Sequence, residues 1–248
     1  MHPVVYFSDL GLLTYNEAWR LQERLQHKLI EKKRTGQNPD KHSAGNSSGF
    51  GAEPKSLPSG YLLFLEHPHV YTIGKSGNWE NLLFTDDILK QRGIEVVKTD
   101  RGGDITYHGP GQLVGYPVLD LELFNMGIAA YIERLEEIII RTAAHFGITA
   151  RRVPSRTGVW VNNNKLCAIG IKCSRYVCMH GFALNIQTDL DFYHGIIPCG
   201  ISDGGVTSFH ELLDKPPAKK MIADRLIEEF RELFGCTIIQ KDPEELIP

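Results

Sequence analysis

The sequence predicts an α+β fold in which a mixed β-sheet is flanked by helices. Two observations carry this. Amphipathic helices with recognisable caps are interspersed among short apolar runs. Those runs also pair into hairpins around turn residues more often than they are joined by the helical crossovers a doubly wound parallel sheet needs. One domain is expected to span residues 1–248.

Residues 4–7 (VVYF) read as a strand, and Thr14 with Glu17 forms a capping-box pattern. Ala18, Leu21, Leu25 and Leu29 then recur at helical spacing, and the helix ends in the charged run Glu31 to Arg34. From about 35 to 60 the chain is rich in Gly, Ser, Asn, Pro and Lys, with almost no apolar anchor. It reads as a flexible surface insertion without chemical role rather than a lid. YLLFLEHPHVYTIG (61–74) reads as one strand, buried at first and then alternating. GIEVVKTD (93–100) and LVGYPVLDL (113–121) are further strand patterns.

Residues 129–146 form a helix with Ile132, Leu135, Ile138, Ile139 and Phe146 on one face, and Gly147 at its stop. TGVWVNNNKLCAIGIKC (157–173) is a hairpin around the asparagines 162–164. HGFALNI (180–186) is a strand, and IIPCGI (196–201) is a turn after a short apolar run. Ser208 and Glu211 cap a short helix, and a last helix runs from about Pro217 to Phe234 before Gly235.

Composition narrows the function. A formal net charge of −3 argues against a nucleic-acid-binding surface. No apolar stretch has the length of a membrane span, and the first residues lack a signal-peptide pattern. The five cysteines contain no C-x-x-C pair, which argues against a zinc ribbon or a disulfide framework. A cytoplasmic protein is expected, with no membrane partner and no nucleic-acid partner. Cys167, Cys173 and Cys178, on or near strands, read as buried structural thiols. His67 and His69 have no second cluster to make a metal site with, so no metal and no cofactor is expected.

Three stretches bear chemistry. Arg101-Gly-Gly-Asp-Ile-Thr-Tyr-His108-Gly-Pro-Gly111-Gln112 is a glycine-rich loop flanked by a cation and an imidazole. It is suited to cradling a ligand, but it is neither a dinucleotide fingerprint nor a P-loop. Lys165-Leu-Cys-Ala-Ile-Gly170 brings a lysine onto an apolar strand. Ile197-Pro198-Cys199-Gly200 sets a cysteine in a sharp turn, where a thiol is displayed rather than packed. Each alone has an inert reading: a tight turn, a solvated lysine, a turn cysteine.

Taken in order, RGGDITYHGPGQLVGYPVLDL, GVWV followed by KLCAIG, HGFALNI and IPCG closely resemble the lipoyl(octanoyl) transferases, with LFLEHPHVYTIGKSG in front and VTSF (206–209) behind. The resemblance covers about residues 61–210. It implies a fold like the biotin and lipoate protein ligases, and an octanoyl-[acyl carrier protein]:protein N-octanoyltransferase of lipoate biosynthesis. The implied donor is octanoyl-acyl carrier protein, and the implied acceptors are lipoyl domains of 2-oxoacid dehydrogenases and the glycine-cleavage H protein.

By the same resemblance Cys199 carries the acyl group and Lys165 pairs with it. Arg101, Gly102, Gly103, Asp104, Ile105, Thr106, Tyr107 and His108 belong to the acyl-substrate site, as do Ala168, Ile169 and Gly170, and Gly181, Phe182 and Ala183. Phe182 stands where a leucine is commoner. Ile169, Phe182 and Leu184 are candidate walls of an acyl tunnel, and His180 is a secondary candidate for orienting the site. Lys172, Arg175, Arg151, Arg152 and Arg156 read first as a solvated charged face, with a basic patch for an acidic carrier protein as the alternative. Backbone N–H groups near Cys199 and Gly200, or in the glycine loop, are candidates for an oxyanion site. The alternatives are an ATP-dependent lipoate- or biotin-type ligase, which needs no acyl-cysteine, and a non-catalytic acyl or carrier-protein binding module.

Overall fold

The structure, a computed structural model, describes residues 2–35, 58–197 and 204–247. The insertion expected at about 35–60 and the Pro198-Cys199-Gly200 turn therefore lie largely or wholly outside the described residues. In chain order the elements are β1 (Val4–Leu12), α1 (Tyr15–Thr35), β2 (Gly60–Glu66), β3 (Val70–Ile73), α2 (Asp86–Gln91), β4 (Glu95–Lys98), β5 (Ile105–His108), β6 (Gln112–Asp120) and α3 (Ile128–His145). They continue with β7 (Arg151–Val153), β8 (Arg156–Val161), β9 (Asn164–Ser174), β10 (Val177–Asn185), β11 (Gly205–Val206), α4 (Phe209–Leu212), α5 (Lys219–Phe234), β12 (Thr237–Gln240) and α6 (Pro243–Leu246).

Among the described residues, a large mixed sheet runs β12-β1-β2-β6-β10-β9-β8-β7, with β11 joined to β9. A second, small sheet runs β4-β3-β5. The pairs β12–β1, β1–β2, β3–β4 and β11–β9 are parallel and the others antiparallel, so the sheets are mixed as expected.

Helices cover both faces of the large sheet. On one side α1 buries Ala18, Leu21, Leu25 and Leu29 against Leu63, Val114, Met179 and Ala183. Each leucine so buried contributes about 1.5–3 kcal/mol. Its start is tied by Glu17, whose carboxylate accepts from both the backbone N–H and the hydroxyl of Thr14. On the other side α3 and α5 pack Leu135, Ile138 and Ile139 with Ile222, Leu226 and Phe230 over Leu113, Leu166 and Leu184. Gly235, left-handed at φ 56°, ends α5 as its position predicted.

The strand expected over 61–74 is two strands in two sheets. Pro68 has no N–H to donate to a ladder, and the chain leaves the large sheet there to begin the small one at Val70. His67, at the break, is fully buried. Its Nδ1–H donates to Leu13 O at 2.7 Å, and Nε2 accepts from the Tyr116 hydroxyl at 2.8 Å. The hairpin of β9 and β10 turns at Arg175 and Tyr176, both at positive φ, without the glycine or asparagine that marks such turns in sequence. Its register sets Cys173 directly opposite Cys178, and the two are joined in a disulfide rather than left as separate thiols. Cys167 is free and buried, as expected.

Burial holds the His67 imidazole down at about 4, below the unfolded value near 6.5. The unfolded chain therefore binds more protons between those limits. His67 contributes stability that is complete above pH 6.5 and is lost as pH falls toward 4, on the order of 3 kcal/mol in all. His108 and His180 are also held below the ordinary value, chiefly by burial, and act in the same direction. The urea midpoint is expected to fall continuously from pH 7 to pH 4.5. A midpoint that rises or stays level over that range contradicts the neutral burial of these rings.

Candidate active site

A cavity of about 400 Å³ opens where the loop between β4 and β5 lies over β9 and β10. That size suits a small organic group. Arg101, Gly102, Gly103, Asp104, Ile105, Thr106 and His108 contribute to one wall. Ala168, Ile169 and Gly170 of β9 and Gly181, Phe182 and Ala183 of β10 contribute to another. The last two triplets, recognised separately in sequence, are cross-strand partners: Ala168 faces Ala183, Ile169 faces Phe182, and Gly170 faces Gly181.

The loop is tied down on β9 and β10. Gly102 N–H donates to Ile171 O at 2.9 Å, which takes this N–H out of the candidates for an oxyanion donor. Asp100 accepts from Lys172 Nζ at 2.5 Å and from His180 Nε2 at 2.9 Å. Partial burial pushes the Asp100 carboxyl up, but these two partners outweigh it and hold the group at about 2. His180 lines the cavity, and its backbone sits in the left-handed region at φ 58°. Arg101 is buried and clamps Thr72, donating from Nη2 to its carbonyl at 2.6 Å and to its hydroxyl at 2.8 Å.

Close approach explains two of the glycines. A Cβ on Gly170 would sit 2.8 Å from Gly102 O and 3.3 Å from Arg101 Cδ, and a Cβ on Gly181 would strike Gly115 O. Gly170→Ala must therefore lift the 101–103 loop off β9. Such overpacking typically costs about 1–3 kcal/mol, and a misplacement of about 1 Å near the chemistry costs about 10²-fold in rate. The expected outcome is a melting temperature lowered by several degrees and an activity loss far larger than that change explains. Full activity would mean that the loop's seat on β9 is not needed.

Lys165 also lines the cavity, at the start of β9. Its Nζ lies 4.8 Å from the centre of the Trp160 ring, and its backbone pairs with Val206 of β11. Cys199 lies outside the described residues. The chain re-enters at Gly204 and runs at once into β11, beside Lys165.

Two expected cavity residues point elsewhere. Tyr107 alternates with Thr106 and His108 along β5, so it faces the small sheet's core. There its ring stacks on Phe192, centroids 5.1 Å apart, and its hydroxyl bonds His69 Nδ1 at 2.8 Å. Leu184 is packed under α3 and α5 rather than walling the tunnel. The candidate basic patch is partly consumed internally: Lys172 pairs with Asp100, and Arg152 pairs with Glu136 and Glu137. Arg151 donates to Asn162 O, and the Arg156 guanidinium lies 5.8 Å from the Trp160 ring centre.

Sequence reading missed Tyr15, Ile132, Asn185 and Tyr193, which also line the cavity. Asn185 was within reach, since strand alternation from Gly181 and Ala183 leads to it. Tyr15 and Ile132 arrive on distant helices and carry no local signal. Among the described residues no group of three or more His, Cys, Asp or Glu could hold a metal ion, and no helix is long and apolar enough to cross a membrane.

Residues 14–231 match the model of the lipoyl protein ligase A/B catalytic domain. An octanoyltransferase of Cytophaga hutchinsonii is 42% identical over 240 residues, covering 94% of each chain. One of Flavobacterium psychrophilum is 41% identical over 245 residues, covering 96% of this chain and all of the other. Among solved structures, lipoate-protein ligase A bound with ATP superposes with a TM-score of 0.69 at 16% identity, over 100% of this chain and 93% of that one. A bi-partite lipoate protein ligase from Thermoplasma acidophilum does so with a TM-score of 0.69 at 16% identity, over 99% of this chain and 91% of the other.

Proposed function

The chain belongs to the lipoyl protein ligase A/B catalytic domain family, and we propose that it transfers an octanoyl group from octanoyl-acyl carrier protein to a lysine of a lipoyl domain through a thioester on Cys199. One observation carries the reading. The Arg101 loop and, about 60 residues further along the chain, the hairpin stretches Lys165 to Gly170 and Gly181 to Ala183 meet around one cavity of a size for a small acyl group. The octanoyltransferases that are 41–42% identical over nearly the whole chain point the same way.

In the first step the Cys199 thiolate attacks the thioester carbonyl on the carrier's prosthetic arm. A carbon–sulfur bond to Cys199 forms, the bond to the carrier sulfur breaks, and the carrier thiolate takes up a proton. One thioester replaces another, so little free energy changes. In the second step the neutral amine of the acceptor lysine attacks the acyl-Cys199 carbonyl. A carbon–nitrogen bond forms, the bond to Cys199 breaks, and the proton lost by the amine returns to the cysteine sulfur with Lys165 as shuttle. An amide is more stable than a thioester, so this step runs downhill without ATP. An ordinary thiol with a pKa near 8.5 is only a few per cent ionised at neutral pH, and an ammonium beside it raises that fraction.

The acyl chain has about seven carbons beyond its carbonyl. At about 0.8 kcal/mol each, their burial supplies several kcal/mol. Ile169 and Phe182, paired across β9 and β10, are among the apolar residues that line the cavity and would gauge the chain. Acceptors would be the lipoyl domains of 2-oxoacid dehydrogenases and the glycine-cleavage H protein, and the expected location is the cytoplasm.

The test is intact-mass measurement of the protein after exposure to octanoyl-carrier protein without ATP. One octanoyl group on Cys199, discharged on adding a lipoyl domain, is the expected result. The fold shared with lipoate-protein ligase A makes an ATP-dependent ligase the second reading. Octanoylation of the acceptor from free octanoate plus ATP, with none from the carrier thioester, would establish it instead.

A further inference from the structure

Behind the cavity wall runs a line of hydrogen bonds whose direction is determined at every link. Gln112, the first residue of β6, is completely buried. Its Nε2 lies 3.2 Å from Tyr107 O, 2.9 Å from Asn185 Oδ1 and 3.2 Å from the Tyr193 hydroxyl. A backbone carbonyl only accepts, so the amide nitrogen faces that side and the amide oxygen faces His108, whose Nδ1 is 2.9 Å away. His108 must then carry its hydrogen on Nδ1, leaving Nε2 as an acceptor 3.3 Å from the Thr72 hydroxyl. Arg101 donates to that hydroxyl from Nε at 3.2 Å and from Nη2 at 2.8 Å. A guanidinium cannot accept, so the Thr72 hydrogen goes to His108. At the far end Asn185 accepts from Gln112 and donates from Nδ2 to Thr207 O at 3.1 Å, and Thr207 N–H donates to Lys165 O at 3.0 Å.

The line therefore starts on the cation of the 101–103 loop and ends on the backbone of the strand that carries Lys165. Arg101, His108, Asn185 and Lys165 line the cavity, while Gln112 and Thr72 stand behind it. Burial, reinforced by the nearby Arg101 guanidinium, keeps His108 neutral, so it has one N–H to place. Gln112 decides where that hydrogen points.

We propose that Gln112 is a positioning residue for acyl transfer, holding His108 in its Nδ1–H tautomer and locking the Arg101 loop to the strand of Lys165. This rests on reading the cavity as the acyl site. The charged and titratable groups around Gln112 are His108, Tyr107 and Tyr193, with Arg101 and His67 one residue further on.

The test compares wild type with Gln112→Leu, Gln112→Glu and Thr72→Val, measuring octanoyl transfer from octanoyl-carrier protein to a lipoyl domain between pH 6 and 8. Gln112→Leu fills similar space without bridging, and kcat is expected to fall about 10²-fold with KM for the carrier changed little. The carboxyl of Gln112→Glu can relay only while protonated, and burial raises its pKa. That variant is therefore expected to gain activity as pH falls from 8 to 6, a limb absent from wild type. Thr72→Val cuts the line one link earlier and is expected to reproduce the kcat loss, which keeps the test valid where Gln112→Leu does not fold. A folded Gln112→Leu or Thr72→Val within twofold of wild type, or a Gln112→Glu pH profile that matches wild type, overturns the proposal. If wild type itself takes no octanoyl group from the carrier protein, the acyl-site reading fails first, and the two failures stay distinct.

Discussion

Cys199→Ala is expected to lose octanoyl transfer by at least about 10³-fold, because removing a covalent nucleophile removes the reaction path rather than a contact along it. The variant should bind octanoyl-carrier protein but show no octanoyl adduct by intact mass. Cys199→Ser should also be nearly inactive. Its hydroxyl is scarcely ionised at neutral pH, and an oxygen ester would give up the free energy of a thioester on formation. Folding should be unaffected, since the other cysteines lie elsewhere: Cys173 and Cys178 in their disulfide, Cys167 and Cys236 buried. Burial raises both free thiols, Cys236 to about 11 and Cys167 further still, so neither can substitute as the nucleophile. Full activity in Cys199→Ala would leave the acyl-cysteine route without its essential atom.

Lys165→Ala is expected to cost about 10²–10⁴ in kcat, the usual worth of a positioned general acid–base group. Two functions are assigned to this ammonium, favouring the Cys199 thiolate and moving the proton during aminolysis, and two readouts separate them. Iodoacetamide alkylation of Cys199 at pH 7 should slow in Lys165→Ala, whereas Lys165→Arg, which keeps the charge, should preserve the alkylation rate. Arginine does not exchange its proton near neutrality, so Lys165→Arg should still be slow in the second, acyl-discharging step. Unchanged alkylation in Lys165→Ala would remove the activating role and leave only the shuttle. The place of Lys165 on the cavity wall, with its backbone held by β11 and its side chain over Trp160, gives the ammonium a restricted range of positions.

The family of this protein was legible in short, local stretches. The glycine-rich loop from Arg101, the KLCAIG and HGFALNI strands and the cysteine between proline and glycine each have a recognisable composition, and their order carries the resemblance. Helix limits were equally readable. The Thr14–Glu17 and Ser208–Glu211 caps and the left-handed Gly235 depend on hydrogen bonds and φ angles only a few residues apart. The disulfide was not readable, because a spacing of five becomes a pair only once a two-residue turn at Arg175 and Tyr176 sets the register.

Sequence alone determined the fold class, most of the helices and strands, the glycine-rich loop and the residues to which the family resemblance assigns roles. Tertiary structure decided that the 61–74 segment divides between two sheets, that Tyr107 turns away from the cavity while Asn185 turns toward it, and that a fully buried Gln112 connects the substrate loop to the strand of Lys165. The division has a physical cause. Caps, turns and strand alternation are governed by neighbours in sequence, whereas the direction of a hydrogen bond through a buried amide depends on partners such as Asn185 and Tyr193, more than 70 residues away along the chain.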